Sequence, residues 1–128
     1  MRSTSSTFLR AVIGLDAAVC GALGLGFAAG GAALGLSPDL TRWIGLFLVG
    51  YAALLTWMAL RPQLPRAAVW GLAAFNLVWA VESVLIVRLG WVAPNPAGQA
   101  VLYLQAAGAF GVAAMQVLAL RLVRPLAA

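Results

Sequence analysis

Histidine and lysine are absent from this 128-residue sequence, which has one cysteine and three acidic residues. Histidine is the commonest general base and metal ligand, so its absence removes the usual routes to acid–base, metal and haem chemistry. One cysteine and three acids form no group with metal-site spacing, and no glycine-rich phosphate loop joins a strand to a helix. We therefore expect a protein that is not an enzyme and uses no cofactor and no metal ion.

The single cysteine, Cys20, lies in an apolar stretch and has no second cysteine to pair with. It forms no disulfide within the chain, so cysteine usage does not report an oxidising compartment. We expect Cys20 to be a small buried residue rather than a redox centre.

Charge is also scarce: 9% of the residues are charged and 64% are apolar, and the mean hydropathy is +1.01. A soluble domain is about half apolar and about a quarter charged. Four apolar stretches fill the sequence, and a membrane-crossing helix needs about 20 such residues. These features predict an all-α integral membrane protein, a single transmembrane domain over residues 1–128 with spans at 8–36, 40–60, 67–89 and 98–122.

Short connections separate the four spans. Proline and glycine mark turns at residues 37–39, 61–66 and 90–98, and Asp39 is the expected N-cap of the second helix. Because short connections make sequential helices antiparallel neighbours, we predict an up-and-down four-helix bundle.

The arginines predict the orientation of this bundle. Six of the eight fall on one side of the predicted membrane, and only Arg42 and Arg88 fall on the other. The positive-inside tendency then places both termini in the cytoplasm, and the expected host is a bacterial inner (plasma) membrane. Because the arginines form no cluster, we expect no nucleic-acid partner. The six arginines on the predicted cytoplasmic side are Arg2, Arg10, Arg61, Arg66, Arg121 and Arg124.

The N-terminus has some features of a signal peptide, because Arg2 and Arg10 precede an apolar stretch with small residues. That stretch runs over residues 8–36, beyond the 7–15 residues typical of the apolar region of a signal peptide. We expect a retained first helix. The alternative is cleavage near residues 28–31, which leaves three helices.

Small residues on the helices predict close packing. Gly26 and Gly30 are four residues apart, as are Gly31 and Gly35. In lipid, close backbone approach through such residues replaces the hydrophobic drive between helices. The sequence leaves open two uses for these glycines: packing within the bundle, or packing between copies of the chain.

Polar residues within the spans form the candidate site: Asp16, Asn76, Glu82, Gln105 and Gln116. At about 1.5 Å per residue, two polar layers result. Asp16, Asn76, Gln116 and Tyr51 form an inner layer at about 9–13 Å from the cytoplasmic ends. Glu82 and Gln105, with Arg42, form an outer layer at about 22–25 Å.

Two interpretations of the polar residues lead to different functions. Amides and carboxyls often join membrane helices by hydrogen bonds, which suits a non-catalytic accessory or scaffold protein that associates with other membrane proteins or lipids. The alternative is a small proton- or cation-coupled transporter, acting as an oligomer through Asp16 and Glu82. Expected partners are membrane lipids and either further copies of the chain or a larger membrane complex. Binding of a lipid or apolar ligand between the helices is a third hypothesis.

Overall fold

The computed structural model describes residues 3–4 and 7–122, and this part of the chain is all-α apart from one pair of two-residue strands. Its four long helices are α1 Thr7–Gly30, α2 Pro38–Ala59, α3 Arg66–Arg88 and α4 Pro96–Leu122. Each is long and apolar enough to cross a membrane. The prediction of four span-length helices is therefore confirmed. Arg2 and Arg124, two of the six arginines predicted to lie on the cytoplasmic side, lie outside the described residues.

The first predicted span, residues 8–36, is not one continuous helix. α1 ends at Gly30 and a 3₁₀ turn follows at Gly31–Leu34. Gly35 then adopts a φ of +79°, a conformation that glycine reaches at little cost. The backbone N–H of Asn95 donates to the Leu34 carbonyl at 2.9 Å, so this bend ties the end of α1 to the start of α4.

The expected N-cap of α2 was wrong by two residues. Ser37, not Asp39, is the cap, and its hydroxyl accepts a hydrogen bond from the backbone N–H of Leu40 at 3.5 Å. Pro38 begins the helix, where its missing N–H costs nothing. Asp39 lies in the first turn, where a negative charge favours the helix dipole.

Successive helices run antiparallel, as an up-and-down bundle requires. In each pair of successive helices, a residue later in the first helix contacts a residue earlier in the second. Between α1 and α2, Gly24 contacts Gly45 and Arg10 contacts Ala59. Between α2 and α3, Phe47 contacts Trp79 and Tyr51 contacts Phe75. Between α3 and α4, Asn76 contacts Gln116 and Trp79 contacts Gln105.

Glycines bring the first span close to α2, and only one of them, Gly31, belongs to the four that the sequence singled out. A Cβ on Gly24 would lie 2.8 Å from the Gly45 carbonyl oxygen, and Gly31 lies against Thr41. Gly26 and Gly30 are exposed, with open space where a Cβ would stand, so of the two uses left open they do not serve packing within the bundle. Gly24, in α1, and Gly31, in the 3₁₀ turn that follows, both face α2.

The arginines lie at the two ends of the bundle. Arg10, Arg61, Arg66 and Arg121 belong to the end where the α2–α3 connection lies, which we call the Arg66 end; Arg42 and Arg88 belong to the opposite, Arg88 end. Two of them hold neighbouring helices: Arg10 Nε donates to the Ala59 carbonyl at 2.9 Å, and Arg66 donates to the Leu120 carbonyl. Both acceptors lie in the last turn of a helix, where carbonyls lack partners within the helix.

The short strands also lie at the Arg66 end. β1 Ser3–Thr4 pairs antiparallel with β2 Leu64–Pro65, in the connection between α2 and α3. The sequence predicted no strand here. The pairing places the start of the chain beside the turn that leads into α3.

The most deeply buried apolar side chains also cluster in the half of the bundle near the Arg66 end, and all four helices contribute to them. This apolar cluster lies between the Arg66 end and the polar side chains of the interior. Its most buried members are Leu9, Ile13, Leu55, Val69, Ala119 and Leu120.

Candidate polar site in the bundle interior

Asp16 is the one acidic side chain that the described part of the chain buries in the bundle interior, and it is 3% exposed. Its Oδ2 accepts a hydrogen bond from Asn76 Nδ2 at 3.1 Å, and its Oδ1 accepts from Cys20 Sγ at 3.3 Å. Cys20 is one helical turn further along α1, so this second bond is local. Both carboxyl oxygens are therefore engaged within the bundle.

Asn76 connects Asp16 to a third helix. Its Nδ2 also donates to Gln116 Oε1 at 3.2 Å, so one amide of α3 joins α1 and α4. Asn76 is 3% exposed and Gln116 is 0% exposed. The inner polar layer expected from helix depth is confirmed for these three side chains, because they share one level and face one interior.

Tyr51, the fourth expected member of the inner layer, lies beside the network without a hydrogen bond. Its hydroxyl oxygen is buried and has no hydrogen-bond partner among residues 7–122, and the same holds for Gln116 Nε2. Tyr51, Asp16, Cys20 and Asn76 all line one interior cavity of about 30 Å³. A polar cavity of that size accommodates a water molecule.

An aromatic cluster closes this cavity on the side of α2 and α3. It consists of Phe47, Tyr51, Phe75 and Trp79. Ring centroids of neighbouring members are 4.7–6.1 Å apart, the usual range for interacting aromatic pairs. This cluster was not predicted from the sequence, although Phe47 with Tyr51 and Phe75 with Trp79 have the four-residue spacing of one helix face.

Gln105 has a different partner from the one expected. Its Oε1 accepts from Trp79 Nε1 at 2.7 Å, and its Nε2 donates to the Leu102 carbonyl at 3.1 Å. Trp79 thus joins the aromatic cluster to α4. The expected outer layer of Glu82, Gln105 and Arg42 does not form among the described residues, because Glu82 and Arg42 are exposed on the outside of the bundle.

Glu82 lies on the outside of the bundle. It is exposed, and within the described ranges it has neither a hydrogen bond nor an ion pair. Its neighbours along the same exposed face of α3 are apolar, including Val78 and Leu85. Glu82 follows buried Asn76 by six residues, about 120° further round the helix, which turns it away from the interior.

The polar side chains of the interior form hydrogen bonds with one another. Across residues 3–4 and 7–122, no three histidine, cysteine or acidic side chains are close enough to hold a metal ion. Asp16 and Cys20 are adjacent, but the other groups around the cavity are amides, a phenol and aromatic rings.

Comparisons with known proteins found no matching family model, no matching curated protein and no matching solved structure. Two features of the described residues bear on function: the Asp16 carboxyl is hydrogen-bonded inside the bundle, and the Glu82 carboxyl is exposed without a partner outside it.

Proposed function

We propose that the four helices span a membrane with both termini on the cytoplasmic side. The helices have 24, 22, 23 and 27 residues, and about 20 suffice to cross the hydrocarbon core. Four of the described arginines belong to the Arg66 end and two to the opposite end, which supports the Arg66 end as the cytoplasmic one. The proposed host is the plasma membrane, the inner membrane of a bacterium.

We further propose that the protein is a non-catalytic accessory or scaffold protein that associates with other membrane proteins within the bilayer. One observation carries this proposal: Glu82 is exposed on the apolar outer surface of α3. It lies six residues before the helix end at Arg88, about 9 Å into the span. A carboxyl facing hydrocarbon at that depth is costly, and a neighbouring protein that supplies a hydrogen-bond donor or a positive charge removes the cost.

Apolar grooves on the outer surface support a second kind of contact, with lipid chains. One groove of about 480 Å³ lies between α1 and α4, and Gly26 and Gly30 form part of its floor. Another, of about 600 Å³, lies between α3 and α4 and ends at Arg121. An arginine at the membrane boundary suits an anionic lipid headgroup, so lipids are the proposed occupants of the outer surface that protein partners leave free.

The transporter alternative has less support. The cavity beside Asp16 has a volume of about 30 Å³, which leaves room for water but not for an organic cargo. Both oxygens of Asp16 already accept hydrogen bonds, and Glu82 lies on the outside of the bundle rather than in the same site. Within one chain the two acids thus lie apart, which gives less support to a carrier site that uses both.

Affinity capture from native membranes tests the accessory role. Glu82→Leu removes the carboxyl and leaves an apolar surface, and we expect the proteins that co-purify with the tagged chain to be lost, because their polar groups lose their partner. Val81→Leu, at the neighbouring exposed position, is the matched control and keeps the captured proteins. Equal capture by the Glu82→Leu variant contradicts the proposal.

A further inference from the structure

Glu82 and Arg42 are opposite charges at one end of the bundle, and neither has a partner in the part of the chain that the structure describes. Each is exposed, and no ion pair or hydrogen bond of either side chain occurs within residues 3–4 and 7–122. Arg42 lies four residues after the start of α2, about 6 Å into the span, and Glu82 lies about 9 Å into the span from the same end. The two charges are therefore at nearly the same depth.

Within one chain the two side chains project away from each other. Arg42 follows Thr41, which packs against Gly31 just after the end of α1. It is about 140° round α2 from Phe47, which contacts α3. It therefore lies on the α1 side of the exposed face of α2. Glu82 is about 60° round α3 from Trp79, whose ring stacks on Phe47, so it lies on the side of α3 that is next to α2.

α2 has the outer face best suited to contact with another helix. Of its most apolar 18-residue segment, 22% is buried within the chain, a smaller share than in any other long helix of the described part. Its exposed face contains Leu46, Gly50, Ala53 and Trp57, and Leu46 and Trp57 are each 56% exposed. These residues are spaced four, three and four apart, the pattern of two helices that pack with a left-handed twist. A Cβ on Gly50 would contact nothing within 4 Å, so the backbone there is open to a neighbour.

We propose that α2 packs against α2 of a second copy of this chain, about a two-fold axis parallel to the helices, and that Arg42 of each copy pairs with Glu82 of the other. The axis places the two α2 helices side by side. The α3 helix of one copy and the α3 helix of the other then lie on opposite sides of the α2 pair. The α1 side of one α2, which bears Arg42, then lies next to α3 of the other copy, which bears Glu82. Two-fold symmetry forms the same pair twice.

This inference rests on the proposed function, because it identifies the neighbouring protein that contacts Glu82 as a second copy of the chain. The accessory role then requires that other membrane proteins bind the dimer that this contact forms. The two proposed ion pairs form at one depth and in apolar surroundings, where an unpaired charge is costly. A parallel arrangement of the copies also agrees with the arginine bias, which favours one orientation for every copy. The contact thus satisfies Glu82 and Arg42 together and covers the most exposed helix.

Cysteine cross-linking in native membranes tests the two-fold contact. In a Cys20→Ser background, Gly50→Cys places one thiol of each copy beside the axis, and mild oxidation is expected to give a covalent dimer. Leu77→Cys is the matched control, because it is exposed at a similar depth on α3, on the side that faces α4. We expect about tenfold less dimer from Leu77→Cys. Equal dimer formation from the two positions contradicts the inference.

Charge reversal tests the ion pair in the same assay. Arg42→Glu or Glu82→Arg alone is expected to reduce the Gly50→Cys dimer about tenfold, because like charges then meet at each site. The combined variant, Arg42→Glu with Glu82→Arg, is expected to restore the dimer. Single reversals without effect, or a combined variant that stays monomeric while its circular dichroism remains that of the parent, overturn the inference.

The two proposals fail in different ways. If Gly50→Cys gives no dimer but Glu82→Leu still abolishes capture of other membrane proteins, the second copy is not the partner and the accessory role stands. If Glu82→Leu changes neither dimer formation nor capture, both proposals are contradicted.

Discussion

Replacing Gly45 with alanine is expected to lower the stability of the folded bundle by about 2 kcal/mol, because the added methyl group meets backbone atoms that have no room to move. A Cβ on Gly45 would lie 2.7 Å from the Gly24 carbonyl oxygen and 2.9 Å from the backbone nitrogen of Ala28. Relief of the clash requires α1 and α2 to separate along their closest contact. Unfolding of the purified protein in detergent, followed by circular dichroism, measures the loss.

Gly71→Ala is the matched control for this prediction. Gly71 is exposed on α3, and a Cβ there would contact nothing within 4 Å. The same chemical change is expected to stabilise α3 by about 0.5–1 kcal/mol, because alanine has a lower entropy cost than glycine inside a helix. Opposite signs for the two substitutions support the close contact of α1 with α2. Equal changes in stability contradict it.

Replacing Asn76 with leucine is expected to destabilise the bundle by about 1–3 kcal/mol, because two buried acceptors lose their donor together. Asn76 Nδ2 is the shared donor to Asp16 Oδ2 and to Gln116 Oε1. In the variant, the whole Gln116 amide lacks a partner among the described residues, since its Nε2 already has none. The free energy of unfolding in detergent is again the measurement.

A triple substitution separates the cost of broken hydrogen bonds from the cost of a changed shape. Asn76→Leu combined with Asp16→Leu and Gln116→Met removes the unpaired polar groups along with their partner. Replacing all members of a buried network by apolar groups of similar size is close to neutral, whereas removing one member is not. We therefore expect the triple variant to be more stable than Asn76→Leu alone. A triple variant less stable than the single one rules out this explanation.

The sequence predicted the helices well, because their signals are local. Apolar stretches of span length placed all four helices, and proline and glycine placed the three connections. The exceptions are the bend after Gly30 and the cap at Ser37. The bend depends on the contact of Gly31 with Thr41 and on the Leu34–Asn95 hydrogen bond, and tertiary contacts of that kind leave no periodic pattern in one stretch of sequence.

The candidate site was predicted in part. Counting residues along a helix gives the depth of a side chain in the membrane, but it does not give the side of the helix on which that side chain lies. Asp16, Asn76 and Gln116 share a level and also a direction, so counting along the helices was enough. Glu82 and Gln105 share a level but not a direction. Glu82 is about 120° round the helix from Asn76, so once Asn76 is buried Glu82 must face outwards.

The packing glycines show the same difference between spacing and direction. Gly26 and Gly30 have the four-residue spacing typical of close helix contacts, but they face the groove between α1 and α4. Gly24 and Gly31, seven apart, face α2 instead. A spacing motif indicates that two residues share a face, and only the position of the neighbouring helix determines which face is packed.

Labelling of single cysteines in sealed vesicles tests the proposal of a four-span membrane protein most directly. Gln63→Cys lies in the exposed connection between α2 and α3, and Ala93→Cys lies in the exposed connection between α3 and α4. In a Cys20→Ser background and in right-side-out vesicles, we predict that an impermeant maleimide labels Ala93→Cys at once and labels Gln63→Cys only after the vesicles are opened. Labelling of both positions from the same side, or recovery of the chain as a soluble species without detergent, contradicts the account.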